Sequence, residues 1–499
     1  MSISSAHEFH YRTALGPLSR TAALLTLVGV MALLLADIEI ISPEPGLELT
    51  RMGLGLLSPR IPDQYVFVEA LLNTLSFAFQ AMALATLIGF LLSLVYRLAV
   101  VRAFCAFIRG IHELFWALIF LQVMGLSTLT GVLALAIPYA GILAKIFGEL
   151  FEEVSPQPRN NLLVADHISA FFYTTLPLAW RSLCAYCSYR FECMVRSSVI
   201  LGFVGLPTLG FYLESALREG RYQEGAALLY VLLLLIATLR FWLRRALLPV
   251  YLLAAFLLLP PVVEVSWDGA WRFFTVDIVP APLRNNSQAQ LWSWLTLLWQ
   301  QQLQPGVINT LILGMAALLV TAMFALLCFP LNSPHFVRGW SRRFGDAFLI
   351  IGRTLPEYLL AFVGLIVLGP SMLPALLALA LHNGTIVAHL VGRFSESLSL
   401  RQDAVRGVNL YFYEVLPRMF RQFLALLLYR WEVIMRESAI LGMLGFATLG
   451  FYIDSAFEEF RFDRAALLII CSALLNMLAD ALARYWRRRL HLNTTPETL

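Results

Sequence analysis

Apolar runs long enough to cross a bilayer recur along the whole of this chain, and no other feature restricts its folding so strongly. The clearest are Thr21–Ala36, Leu71–Tyr96, Ala226–Leu239, Leu247–Val263, Val307–Phe329 and Ala465–Leu482. A helix needs about 20 mostly apolar residues to traverse ~30 Å of hydrocarbon. Within lipid it must also satisfy its own backbone polar groups. The expected fold class is therefore an all-α polytopic membrane protein. The charged fraction agrees: 14% of the chain, against about 25% in a soluble domain. The net charge of +4 comes from arginines at the ends of spans, with Lys145 the only lysine, so it carries no sign of a nucleic-acid partner. The first span is preceded by Arg12 and Arg20 like a signal-peptide core, but it runs long and lacks a small-x-small cleavage site. It is expected to be a retained helix. Cys184-x-x-Cys187 has no second pair to complete a zinc site, so no metal is expected in the chain.

The chain also writes one phrase twice. RSSVILGFVGLPTLGFYLESA from Arg196 returns as RESAILGMLGFATLGFYIDSA from Arg436, an offset of 240. Phe172-Tyr173, Leu176-Pro177, Arg181 and Tyr189-Arg190 recur at the same offset as Phe412-Tyr413, Leu416-Pro417, Arg421 and Tyr429-Arg430. Asn73-Thr74-Leu75 recurs as Asn309-Thr310-Leu311, and Ala134-Leu135-Ala136 as Ala378-Leu379-Ala380. Two homologous halves follow, 1–245 and 246–499. Each is expected to hold about six transmembrane helices, about 12 in all. The first six lie near 21–40, 66–96, 108–125, 129–148, 176–195 and 224–243. The second six lie near 247–264, 305–330, 346–368, 372–392, 416–435 and 464–483.

Arginines set the expected orientation. Arg97, Arg102 and Arg109 follow the second span, and Arg240, Arg244 and Arg245 the sixth; Arg338, Arg342 and Arg343, then Arg484, Arg487, Arg488 and Arg489, repeat the pattern. Both termini are then cytoplasmic and the halves are parallel. The pseudo-two-fold axis lies along the membrane normal, with a pathway between the halves.

Within the fifth span of each half stand charges that lipid does not tolerate: Arg190, Glu192 and Arg196, matched by Arg430, Glu432 and Arg436. Each costs roughly 2.5–3.5 kcal/mol at a helix centre, so such residues normally face an interior or a watery path. Glu192 and Arg196, like Glu432 and Arg436, have the i,i+4 order that favours a contact on one helix face. Two roles stand open for them, locking helices together or lining the pathway. Arg190 and Arg430, without a local acid, are the better candidates to meet an anion. Next come Gly202, Gly205 and Gly210, and their copies Gly442, Gly445 and Gly450. Such glycines serve either close helix packing or a break whose ends offer unpaired amides. Between spans four and five lies a polar segment, Gly148–Pro177 in the first half and Gly392–Pro417 in the second. Each is either a plain connector or a short helix that docks a partner.

Together, acid-Ala…Gly…Leu-Pro, Tyr-Arg-aromatic-Glu-x3-Arg and Gly-x-x-Gly-x4-Gly resemble the permease subunit of phosphonate-type ABC importers. The resemblance covers both halves, most strongly Leu176–Arg221 and Leu416–Arg461. The run from Lys145 through Glu149 and Glu152 looks like the entry to that family's coupling loop. The resemblance implies a cytoplasmic ATPase dimer, which would carry ATP and magnesium, and an extracytoplasmic substrate-binding protein. It also implies residence in the inner membrane of a bacterium and a phosphonate or related small oxyanion as cargo. Carried over by position, Glu396, Asp403, Ala404, Gly407, Leu416 and Pro417 make the second coupling segment; Asp166, Leu176 and Pro177 can be placed in the first. The chain departs from the family in its shorter coupling segments, in lacking the first segment's glycine, and in Pro207-Thr208 and Ala447-Thr448 where paired glycines stand. Two permease units are also fused. No Gly-x4-Gly-Lys-Ser/Thr phosphate loop occurs, so ATP hydrolysis is expected elsewhere. The competing expectations are an ABC permease for a different small solute, a six-plus-six secondary transporter, against which no carboxylate relay is evident in the spans, and a membrane enzyme, for which no nucleophile–base set stands out.

Overall fold

A computed structural model of the chain describes residues 16–155, 157–160, 166–259, 266–401 and 406–492. Among them every regular element is helical. In the first half the main helices are α1 (Pro17–Leu35), α2 (Pro45–Leu57), α3 (Gln64–Leu94), α4 (Ala99–Gly110), α5 (Glu113–Met124), α6 (Thr128–Glu153), α7 (Leu176–Ile200), α8 (Leu209–Arg218) and α9 (Tyr222–Trp242). In the second they are α10 (Leu248–Leu258), α11 (Gln304–Cys328), α12 (Trp340–Thr354), α13 (Glu357–Leu368), α14 (Met372–Ser395), α15 (Leu416–Ile440), α16 (Leu449–Glu458) and α17 (Phe462–Arg489). Seven helical stretches are long and apolar enough to cross a membrane, or up to 11 if each bent pair is one span. The protein is a multi-pass membrane protein.

One expected span of the first half and two of the second differ from continuous helices. The stretch expected at 108–125 is the second part of a bent pair: α4 and α5 meet at 87°, and α12 and α13 likewise at 91°. Pro356 explains the second corner, because it offers no N–H and keeps its predecessor out of the helical region. At the first corner His112 caps α5 instead, its Nδ1 accepting from the Leu114 amide at 3.2 Å. The stretch expected at 247–264 is helical only over the 11 residues of α10, and 260–265 lie outside the described residues. Conversely, the region left between the expected spans 247–264 and 305–330 contains helix, and Gln288–Leu331 forms one stretch of 44 residues.

The first helix of each half packs on the other half. α1 lies along α11, where Gly29 approaches Leu319 so closely that a Cβ would stand 2.7 Å from its Cβ. α10 lies along α3, held by Gln80 Nε2 donating to the Ala255 carbonyl at 2.8 Å. The two largest apolar clusters are interlocked in the same way. One is built mainly from the second half but includes Ile111, Leu114 and Phe115; the other, mainly from the first, includes Leu359 and Phe362.

Candidate functional site

The glycine phrase is a break, not a packing face. After α7 the chain makes a short 3-10 turn, Gly205 takes φ +94°, and α8 leaves at 52°. After α15 the same happens at Gly445, φ +100°, with a bend of 44°. A positive φ of this kind favours glycine. Gly202 and Gly210 serve a second need, close backbone approach: a Cβ on Gly210 would stand 1.8 Å from the Val199 carbonyl oxygen, and one on Gly202 2.0 Å from the Phe211 nitrogen. Gly442 and Gly450 repeat this, at 2.5 Å from the Phe451 nitrogen and 2.1 Å from the Ala439 oxygen. The repeated Asn-Thr pair holds each break from α3 or α11. Asn73 Nδ2 donates to the Pro207 carbonyl at 3.0 Å and Thr74 Oγ1 accepts from the Leu209 amide at 2.8 Å. Asn309 and Thr310 do the same for Ala447 and Leu449, at 2.8 and 3.1 Å.

The expected i,i+4 ion pairs do not form. Glu432 reaches across to the other half, where Arg109 meets it at 3.5 Å and Asp480 at 2.5 Å. Asp480 also meets Arg484. Glu192 has no ion pair among the described residues, and the position matching Asp480 is Arg240 in the first half. Arg196 and Arg436 are drawn instead to the corners of the bent pairs. Arg196 donates to the Arg353 carbonyl at 2.9 Å, Arg436 to the Arg109 carbonyl at 3.5 Å. Both carbonyls lie at the C-terminal ends of helices from the opposite half, where a cation suits the helix dipole. These two arginines therefore bridge the halves.

Arg190 and Arg430 stand apart from this. Arg190 is half-buried, donates from Nε to the Tyr186 hydroxyl at 2.7 Å, and lies over the rings of Tyr186 and Tyr189. Arg430 reaches only Asn383 Oδ1, at 3.5 Å. Among the described residues neither has an ion-pair partner. On the side of the glycine breaks, Phe203 from the first half closes against Tyr358 and Phe362 of the second, ring centroids 4.5 and 5.7 Å away. Beyond Phe362 opens a cavity of about 1640 Å³ between α2, the α8–α9 turn and α13, lined among others by Arg51, Arg60, Arg218 and Arg221.

The sequence reading missed the buried acids. Glu113 and Glu357 are the first residues of α5 and α13, equivalent by position and both buried. Ser197 donates to Glu113 at 2.9 Å and meets Tyr139 at 3.0 Å. In the second half, Glu357, His382 and Glu437 place one ligand atom each within 4.8 Å of one another, a spacing that a metal ion could bridge. Distance in the chain hid this group, and an acid after a helix break reads as interfacial until the break is placed.

The coupling segments are helical at their ends. Glu149 and Glu152 close α6, with Arg97 3.8 Å from Glu152. Asp166 Oδ1 accepts from the Ser169 amide at 3.0 Å. Glu396 pairs with Arg342. Gly407 takes φ +70°, ahead of a π-helical turn over Leu410–Val415. Its counterpart spans Phe171–Thr175. Both precede Leu-Pro, Leu176-Pro177 and Leu416-Pro417. The leucine amide bonds five residues back, at Phe171 and Tyr411, while the proline supplies no amide. Asp403 and Ala404 lie outside the described residues.

Residues 333–492, which include the second corner, the Tyr-Arg sequence and the second glycine break, match the family described as "Binding-protein-dependent transport system inner membrane component". The phosphate-import permease protein PhnE of Mycolicibacterium smegmatis is 29% identical over 424 residues, covering 79% of this chain and 78% of the relative. A putative cryptic phosphonate transport system permease protein of Escherichia coli is 32% identical over 116 residues, 23% of this chain and 95% of the relative. The phosphite transport system permease protein PtxC of Stutzerimonas stutzeri is 28% identical over 181 residues, 34% of this chain and 66% of the relative. No solved structure matches. A broken-helix membrane protein with these likenesses, one of them to nearly the whole of a permease, belongs to the family of binding-protein-dependent transport system inner membrane components.

Proposed function

We propose that this chain forms the transmembrane pathway of an ATP-driven importer for a phosphonate-like oxyanion. Phosphonate, phosphite and phosphate, the substrates in its relatives' names, define the class. One chain supplies both permease halves, 1–245 and 246–499. A cytoplasmic ATPase dimer, carrying ATP and magnesium, docks on Gly148–Pro177 and Gly392–Pro417, and an extracytoplasmic binding protein delivers the anion above Phe203 and Phe362. The chain lies in a bacterial inner membrane with both termini in the cytoplasm. Arg190 carries the reading: a guanidinium within a span, half-buried, cradled by two tyrosines and without an acid partner. Such a charge is costly in lipid and favourable beside an anion. ATPase closure would move the coupling segments and swing the halves apart at Phe203, opening the outer side as the inner side shuts. Arg196 and Arg436, spent on backbone carbonyls, act as locks between the halves.

The test is uptake of radiolabelled phosphonate by cells co-expressing the chain with its ATPase and binding protein. Arg190→Gln is expected to lower uptake at least about tenfold, the order of one lost charge-assisted hydrogen bond, while the ATPase still co-purifies. Uptake that follows a proton gradient in place of ATP would overturn the proposal.

A further inference from the structure

The two halves differ most where their last helices end. Tyr222 and Trp242, which bound α9, match Phe462 and Leu482, but α17 runs on to Arg489. Past Trp242 the first half turns toward α10, whereas α17 continues along α15. Its added length covers α15. Arg487 lies over the Tyr429 ring, 5.6 Å from its centroid, and the Leu490 carbonyl accepts from Arg421 at 3.1 Å. The ion pairs of Arg109 with Glu432 and Asp480 close the same seam nearer the membrane centre. α7 has none of this cover. It touches α9 only lightly, and Ala185 and Ser188 stand exposed where their counterparts Ala425 and Leu428 are fully buried. Arg181, which matches Arg421, is exposed and among the described residues has no hydrogen bond or ion pair.

Arg181, Ala185, Ser188 and Glu192 follow one another at three- and four-residue steps, so they share one face of α7. In the second half the matching face, with Glu432, meets α4 and α17. The corresponding neighbours of α7 are α12 and α9, which touch each other only lightly. Arg353, the match of Arg109, leaves its Nε without a partner among the described residues. A groove therefore runs along α7 from Glu192 to Arg181, toward the coupling segment. Charged side chains at both of its ends suit water and not lipid. Tyr189 joins the groove to the pathway: its ring is exposed and lies beneath the Arg190 guanidinium, 5.5 Å from the ring centroid. Phe203 against Tyr358 closes the opposite side. We propose that this groove is the cytoplasmic exit for the anion, and that the first half alone provides it. An oxyanion leaving Arg190 passes Tyr189, follows the wetted face past Ser188 and Ala185, and meets Arg181 at the mouth. The matching seam of the second half is sealed by α17. This role rests on the oxyanion pathway proposed above.

The test uses the full chain with its ATPase, the six native cysteines replaced by alanine. Ala185→Cys and Ala425→Cys put the same thiol at matched positions of the two halves. Inverted membrane vesicles, whose cytoplasmic side faces outward, are treated with a charged thiol reagent that cannot cross lipid. Ala185→Cys is expected to react at least about tenfold faster than Ala425→Cys, because thiol reactivity follows access. Equal rates overturn the proposal. Reaction of Ala185→Cys with a lipid-soluble maleimide alone overturns it too, because the groove then holds lipid. Purified complexes are next treated and reconstituted into liposomes with the binding protein. Phosphonate uptake by the modified Ala185→Cys complex is expected to be lost, and uptake by the treated Ala425→Cys complex to be unmoved. Uptake that persists through complete modification at position 185 overturns the exit role. Ser188→Cys, read against Leu428→Cys, takes the same measurements should the first variant fail to assemble. Uptake that needs a proton gradient in place of ATP removes the pathway reading and this role with it; a failed labelling contrast alone leaves the pathway standing.

Discussion

At the scale of single residues, each glycine of the repeated phrase answers to one of two physical demands. Gly205 and Gly445 are glycines because of φ, Gly202 and Gly210 because another backbone lies where a side chain would be. The two demands predict different penalties. Gly205→Ala asks an L-residue to hold a left-handed conformation, a cost of about 1–2 kcal/mol, with only Leu126 nearby. Gly210→Ala must push Val199 away, and overpacking of this kind costs about 1–3 kcal/mol or more. In thermal unfolding of detergent-purified protein, Gly210→Ala is expected to lower Tm more than Gly205→Ala. Gly46→Ala, with open space around it, serves as the unshifted control. Equal shifts at Gly210 and Gly46 would remove the close-approach argument.

At the scale of elements, the break is a three-part device: α7 or α15 ends, a glycine turns the chain, and an Asn-Thr pair from α3 or α11 satisfies the freed backbone. Thr310→Val keeps the shape but leaves the Leu449 amide buried without a partner, which costs about 1–3 kcal/mol. Thr74→Val should cost the same at Leu209, since both threonines are fully buried. Asn309→Ala, at an exposed bond, should cost less. A stability series in which Asn309→Ala exceeds Thr310→Val would contradict this ordering. The sequence showed these elements unevenly, for physical reasons. Long apolar helices announce themselves, and Asn-Thr was visible as a repeat. Its purpose was not, because its partners lie more than 130 residues away. Pro356 signals one corner, but Ile111-His112 carries no breaker, so a helix over 108–125 was the natural expectation. The pairing of Glu192 with Arg196, sound for an isolated helix, lost to the Arg353 carbonyl that Arg196 meets across the interface. Glu437 escaped notice because its repeat partner is a serine, and a search for matching charges passes over it.

At the scale of the molecule, the decisive feature is exchange between halves. α1 lies on α11 and α10 on α3; Arg196 and Arg436 each cap a helix end of the opposite half; Arg109 joins Glu432 and Asp480 across the same interface. Neither half can complete its own core, because Leu114 and Phe115 belong to one cluster with the second half, and Leu359 and Phe362 to the other with the first. This predicts the behaviour of a chain cut between residues 245 and 246. Each piece expressed alone leaves the guanidinium of Arg109, or its acids, without a partner in the membrane, and should be degraded or aggregate. Expressed together, the pieces should find one another, co-purify and restore uptake, because the interface and not the peptide link holds them. Arg109→Ala is then the sharper probe. Removing one partner of a buried ion pair costs about 3–5 kcal/mol, so it should abolish co-purification of the cut chain. In the intact chain the tether keeps the halves at high effective concentration, and assembly should survive. A first half that is stable and monodisperse alone would show that the exchanged contacts are incidental to the fold.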